Sequence, residues 1–379
     1  MGVMLYHIWL LQVDAPKWSE PLGIGWLGVQ LFFVLSGLVL FLPYAGGERR
    51  LALSRYAAAR VLRIVPAFWV VLIVVPFALH TPDRAASAVI LSAVFLVWGL
   101  VSRRWSAWLG FALTAAAAGR LITHDGIGSL RHLKDYAFLQ YNDVTALVPQ
   151  GWTLSLEVGF YVLLPLVVFA AAVRPVLRLP LIGILIAIGL YWRLFSGLPL
   201  TPLSFVDQFA YGMLAAVAVR SGIARRAWIP LIGAAIVIAS MFTGPVNRHW
   251  LPTSTLFAVG CAFILAWLAA RNPSVRLRPL VWLGTISYGI YLWHYLVITW
   301  IDENGYDGRS IVLRGAIVIP VTLLLATLSW LLVEKTLLQR RIALTSFIAR
   351  ASYAMHRRAA PQEVAPPSSV QRSARGFLR

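Results

Sequence analysis

The stretch Gln150-Gly-Trp-Thr-Leu-Ser-Leu-Glu157-Val-Gly-Phe-Tyr161-Val-Leu-Leu-Pro165 decides the fold. After Glu157 the chain stays apolar for more than a dozen residues, and nothing nearby in sequence could neutralise a carboxylate. From Trp152 the run is long enough to cross a bilayer core as a helix, which takes about 20 residues. Thr153, Glu157 and Tyr161 are spaced i, i+4, i+8 and form one polar stripe on such a helix. An acid inside a lipid-spanning helix costs a few kcal/mol or more and by default marks a functional site. The alternative is a structural hydrogen bond to a neighbouring helix.

Composition extends this reading to the whole chain. Of 379 residues, 60% are hydrophobic and 12% charged, against about 45–50% apolar and about 25% charged in soluble domains. This is the composition of an all-α, polytopic membrane protein embedded in a lipid bilayer. The net charge of +19 rests on 30 arginines and 3 lysines. They fall in short clusters between apolar runs, as the positive-inside rule requires, so nucleic acid is not an expected partner. Cys261 is the only cysteine, which excludes intramolecular disulfides and thiolate metal clusters. With no Cys/His cluster and no His-Glu-x-x-His pattern, neither a metal nor a bound cofactor is expected. The first apolar run lacks a basic flank and a small-residue cleavage site, so no cleavable signal peptide is expected.

Apolar runs fall near 3–12, 25–43, 64–80, 86–101, 105–121, 152–172, 180–196, 203–220, 228–243, 254–270, 280–300 and 311–333. The fourth and fifth could form one re-entrant hairpin, so ten to twelve spans are expected. Arginines cluster at 49–63, 103–104, 174–178, 220–226 and 271–278, whereas the loop at 197–202 has no basic residue and that at 302–307 is acidic. The alternation places the arginine loops and both termini in the cytoplasm. It fits a multi-pass protein of the plasma membrane. A transmembrane domain over 1–334 is followed by a basic, Pro/Ser-rich tail over 335–379, expected to lie on the surface and then become disordered.

Orientation allows depths to be compared. At 1.5 Å per residue, Glu157 and His7 each lie about 7 Å below the outer boundary, and His294 about 9 Å. Three ionisable groups from three helices thus share one level, although a lone membrane histidine can equally be a packing hydrogen bond. A His–carboxylate pair is a common way to fix a tautomer and make imidazole a general base. Ser287, Tyr291, His294 and Tyr295 share a helix face that suits a polar cavity, with an interfacial aromatic belt as the alternative. Asp207 and Tyr211 either join its rim or cap a helix. Arg60 and Arg63, three apart at the cytoplasmic boundary, are read either as topology signals or as a phosphate clamp.

Together these residues resemble the acyltransferase family three of integral-membrane acyltransferases. Leu31-Phe-Phe-Val-Leu-Ser36-Gly37 is similar to the family's second-helix motif, and Arg60-Val-Leu-Arg63-Ile-Val-Pro66 to its third-helix motif. Gly151-Trp-Thr-Leu-Ser-Leu-Glu157-Val-Gly-Phe-Tyr161, Ser287-Tyr-Gly-Ile-Tyr291-Leu-Trp-His294 and Val333-Glu334 resemble its later motifs. The resemblance implies acyl transfer, usually of acetyl from acetyl-CoA, to a hydroxyl of a carbohydrate or glycosylated acceptor, and matches His7 to the family's first-helix catalytic histidine. Two departures are visible. The family's arginine ten residues before that histidine has no counterpart, which suggests a truncated start. Thr336 replaces the family's proline after the late Glu-Lys/Arg pair.

The expected site therefore has His7 as base, Glu157 as its partner, and Arg60 and Arg63 on the acyl-CoA phosphates. Ser36, Tyr161, Asp207, Tyr291 and His294 are expected to line the substrate pocket. On this reading the arginines lie about a bilayer thickness from the His/Glu layer. The rival reading is a transporter or flippase for a polar or lipid-linked sugar, which would also gather polar groups between helices. The two halves of the chain share no repeat pattern that would favour it.

Overall fold

The computed structural model describes residues 1–12, 14–47, 51–79, 84–102, 105–125, 130–140, 146–195, 201, 203–243, 251–271, 277–306 and 310–337. The tail expected over 335–379 lies almost wholly outside them. Among the described residues the chain is helical and has no strand. In lipid this is the form that satisfies each backbone group within its own segment.

In chain order the helices are α1 (Gly2–Leu10), α2 (Gly28–Phe41), α3 (Leu53–Ala78), α4 (Arg84–Ser102), α5 (Trp105–Asp125) and the short α6 (Leu133–Tyr136). There follow α7 (Trp152–Val173), α8 (Arg178–Phe195), α9 (Val206–Arg220), α10 (Trp228–Ser240) and α11 (Leu251–Arg271). The last are α12 (Arg278–Thr285), α13 (Ser287–Ile301) and α14 (Ile311–Ser329).

Six helical stretches among the described residues are long and apolar enough to cross a membrane: Lys17–Phe41, Leu53–Ala78, Pro149–Val173, Pro175–Leu194, Pro252–Arg271 and Ile311–Leu337. The pair formed by α12 and α13, bent by 66°, would make a seventh. Sequence reading expects ten to twelve, because it counts any apolar run of nearly helical length. In the structure α1, α9 and α10 have only 9, 15 and 13 residues, short of the about 20 that a full crossing takes. α4 and α5 pack along each other, with Gly110 against the Phe95 ring.

α2 and α9 make the closest backbone approach around the site. A Cβ on Gly212 would lie 2.1 Å from the Val34 carbonyl oxygen, and one on Gly37 2.0 Å from that of Phe209. The two helices run parallel: Phe33 meets Phe205 and Phe209 near their starts, and Gly46 lies against Arg220 at the end of α9. Small residues let helices approach this closely in lipid, where packing rather than water expulsion drives association. Gly212→Ala is expected to force the backbones apart and cost about 1–3 kcal/mol, read as a lower melting temperature in detergent. Gly183→Ala, where an added Cβ meets nothing within 4 Å, should leave it unchanged.

Three apolar clusters meet around the site. One joins α2, α7, α9 and α11 through Phe33, Phe160 and Phe209. A second joins α3, α7 and α13 through Phe68, Leu154 and Leu292. A third ties α1 to α13 and α14 through Met4, Ile8, Ile290 and Val318.

Beyond the third apolar cluster, a buried cation also ties α1 in place. Arg314 on α14, 1% exposed, donates to the Leu11 carbonyl at 2.7 Å and pairs with Asp302 just beyond α13. One guanidinium thus binds the ends of α1 and α13, the two helices that carry the histidines. The segment before α7 is also tied down. Trp69 donates to the Tyr136 carbonyl, Asp135 bonds both His132 and the Leu147 amide, and Phe138 stacks on Phe68.

Candidate active site

A cavity of about 380 Å³ opens between α1, α2, α3, α7 and α13. Each helix contributes for a local reason. α2 presents Ser36 beside Gly37, at the level where α2 meets α9 most closely. α7 presents Thr153, Glu157 and Tyr161 as the stripe expected from their spacing, and α3 brings Arg60 and Arg63. α13 brings Tyr291 and His294 one turn apart.

The carboxylate is held by hydroxyls. The Tyr161 phenol donates to Oε1 of Glu157 at 2.6 Å, and Ser36 donates to the same oxygen at 3.4 Å. Above them the Arg60 guanidinium lies 5.6 Å from the ring centroids of both Tyr56 and Tyr161, a double cation–π arrangement. Arg63 lies over the Tyr288 ring at 5.5 Å and pairs with the buried Glu334 at 3.5 Å. Both guanidinium groups are thereby oriented toward the cavity they line.

The histidines form a directional relay. Nδ1 of His294 lies 3.0 Å from the Ile290 carbonyl, and its Nε2 lies 3.0 Å from Nδ1 of His7. A carbonyl can only accept, so Nδ1 of His294 carries a proton, and in the neutral ring Nε2 is then the acceptor. Nδ1 of His7 must therefore be the donor, which leaves Nε2 of His7 unprotonated. One histidine fixes the tautomer of the other, the role that a carboxylate plays in a Ser-His-Asp triad.

Beside this pair, Tyr291 donates to the Gln150 carbonyl and accepts from Thr153, whose oxygen is 2.5 Å away. This closes a polar wall between α7 and α13.

Several expectations are corrected. The partner expected for His7 was Glu157, but its hydrogen-bond partner is His294, while Glu157 bonds Tyr161 and Ser36. Equal depth in the membrane does not fix which faces meet. Arg60 and Arg63 are not a bilayer thickness from the carboxylate, since they line the same cavity. Their long side chains and the length of α3 carry them toward it. Asp207 is not at the rim. It is fully buried and ion-paired with Arg193, which also bonds Ser254 and Thr255, in a separate contact between α8, α9 and α11. Ser36, Tyr161, Tyr291 and His294 do line the cavity, whereas His7 is not among its lining residues and adjoins His294, which is.

Sequence reading missed Arg314, Arg193 and Tyr288. A lone arginine within an apolar run, as at 314, was the available signal, because a charge there needs a partner.

The Acyltransferase domain family matches residues 1–334. The O-acetyltransferase OatA of Staphylococcus aureus is 22% identical over 92% of this chain, which spans 57% of that protein. The peptidoglycan O-acetyltransferase OatA of Listeria monocytogenes is 25% identical over 88% of the chain, which spans 53% of it. The ORF330 protein of Acidianus two-tailed virus is 24% identical, with 78% of this chain and 79% of that one covered. The chain thus spans little more than half the length of the two bacterial relatives. No solved structure matches it. A match over almost the whole described region, on a helical bundle whose cavity gathers the expected motif residues, means that this chain belongs to the acyltransferase family three.

Proposed function

We propose that this chain transfers an acyl group, acetyl first among them, from acyl-CoA to a hydroxyl of a carbohydrate or glycosylated acceptor at the plasma membrane. The observation that carries the proposal is a single cavity lined by two arginines at one end and by a relay histidine at the other. Arg60 and Arg63 suit the donor's phosphates, and guanidinium groups recognise such oxygens by charge-assisted hydrogen bonds. At about 380 Å³ the cavity accommodates the acyl group and part of the pantetheine arm, with the nucleotide left at the mouth. The names of the bacterial relatives support acetyl as the group and carbohydrate as the acceptor.

In the reaction, Nε2 of His7 takes the proton of the acceptor hydroxyl. The freed oxygen bonds to the thioester carbonyl carbon, the C–S bond breaks, and the leaving thiolate recovers the proton from the imidazolium. His294 orients His7, and Glu157 supplies negative potential near the transient positive charge. Cytoplasmic termini and ten to twelve crossings complete the proposal. They are supported by the alternation of arginine loops and by the parallel run of α2 and α9, which requires an even number of crossings from one to the other.

The test uses the full chain in proteoliposomes with radiolabelled acetyl-CoA and chitotetraose. Base-labile label on the sugar is the expected product. Arg60→Ala and Arg63→Ala are each expected to raise the KM for acetyl-CoA by about tenfold or more, the worth of one charge-assisted hydrogen bond. The sugar KM should stay unchanged. Movement of sugar across the vesicle with no dependence on acetyl-CoA, and no ester formed, would point instead to a transporter.

A further inference from the structure

A second cavity, of about 280 Å³, lies beyond the wall formed by Gln150, Thr153 and Tyr291. The two cavities succeed one another along α13. Ser287, Tyr288, Ile290, Tyr291 and His294 line the first, whereas Leu292, Tyr295, Leu296 and Thr299 line the second, together with Glu303 just beyond the helix. They also succeed one another along the chain into α7, with residues 146–150 in the second and 153–161 in the first. The histidine pair bridges them. His294 lines the first, and the His7 ring sits edge-to-face with Tyr295 of the second at 5.5 Å between centroids.

The lining of the second cavity has a definite chemistry. Gln150 is 3% exposed, and its Nε2 donates to the Leu292 and Tyr291 carbonyls at 3.3 and 3.5 Å. Those bonds fix the orientation of the amide and leave Oε1 buried without a partner among the described residues. Thr299 spends its proton on the Tyr295 carbonyl at 3.0 Å, so its oxygen remains able to accept. Glu303 adds an exposed carboxylate. The lining thus holds acceptors on Gln150, Thr299 and Glu303 beside the apolar Leu79 and Leu296, and the described lining contains no lysine or arginine. This is the reverse of the first cavity, whose two guanidinium groups suit an anion.

We propose that the second cavity is the acceptor subsite and binds one uncharged sugar ring, whose hydroxyls donate to Gln150, Thr299 and Glu303 while its C–H face lies on Leu79 and Leu296. The inference rests on the acyl-transfer reading, because it assigns the acceptor to the side of the relay opposite the donor. Gln150 then has two functions, closing the wall through its carbonyl and holding the sugar through its side chain. The acceptor reaches His7 past Tyr295, and the anionic donor is kept from this cavity by the Glu303 carboxylate.

The test is calorimetric binding of chitotetraose, and separately of CoA, to the full chain in detergent. Gln150→Met, Thr299→Val and Glu303→Met are each expected to weaken chitotetraose binding by about fivefold or more, the loss of one hydrogen bond. CoA binding should stay within about twofold. Glu303 is exposed, so its variant keeps the test valid if Gln150→Met does not fold. Unchanged chitotetraose affinity in Thr299→Val and Glu303→Met would overturn the assignment. So would equal loss of CoA and chitotetraose binding, or no chitotetraose binding by the unaltered chain. A chain that binds both ligands with the expected variant effects yet forms no ester would refute the reaction while supporting the subsite.

Discussion

His7→Ala in the full chain is expected to lower acetyl transfer by about 10²–10⁴-fold, the usual contribution of a positioned general base. His294→Ala should lose nearly as much, because His7 would no longer be held with its proton on Nδ1 and its lone pair on Nε2. Misplacing a tautomer in a Ser-His-Asp triad has a comparable effect on kcat. The relay also makes a finer claim. His294→Gln leaves a side-chain oxygen able to accept from Nδ1 of His7 and should recover part of the activity that alanine loses. The double alanine variant should be little worse than either single one, since the two rings act as a unit. Full activity in His294→Ala would remove the relay and leave His294 as a packing residue.

The second large effect concerns stability. Asp302→Asn strands the Arg314 guanidinium, which is 1% exposed, and is expected to cost about 3–5 kcal/mol, as breaking one side of a buried pair does. Arg314→Met should cost less, because Asp302 is 26% exposed and can reach water once its partner is gone. The double variant Arg314→Met with Asp302→Asn should therefore melt above Asp302→Asn alone. Arg314→Met carries a separate signature through the Leu11 carbonyl it releases. Its kcat should fall as α1 loses its anchor, with the KM for acetyl-CoA unchanged, since no part of the arginine clamp is touched. Thermal unfolding in detergent and initial rates read the two effects independently.

Much of the site was legible in the sequence, and the reasons are physical. An acid in an apolar run is expensive enough to stand out, and the stripe Thr153, Glu157, Tyr161 followed from helical spacing alone. The face Ser287, Tyr291, His294, Tyr295 was found the same way, and the structure places the first three on the first cavity and Tyr295 on the second. The pairing within the site was not legible, because depth along a helix says nothing about its rotation. Glu157 and His7 were set at one level and expected to meet, whereas rotation gives His7 to His294 and Glu157 to Tyr161. Asp207 was misplaced for a related reason. Its partner Arg193 sits in another apolar run, and two charges on separate helices show their pairing only when the helices are packed. Helix length was not legible either: α10 is as apolar as the long helices but has only 13 residues, and α1 has nine.

The most direct test of the central claim is a single-turnover measurement on the full chain in proteoliposomes. Labelled acetyl-CoA and chitotetraose would be supplied to the unaltered protein, to His7→Ala and to Arg63→Ala. The account predicts label appearing on the sugar as a base-labile ester with the unaltered chain and almost none with His7→Ala at any donor concentration. With Arg63→Ala it predicts a deficit that saturating acetyl-CoA overcomes. Ester formation by His7→Ala at the rate of the unaltered chain, or a deficit in Arg63→Ala that added acetyl-CoA does not relieve, would contradict it.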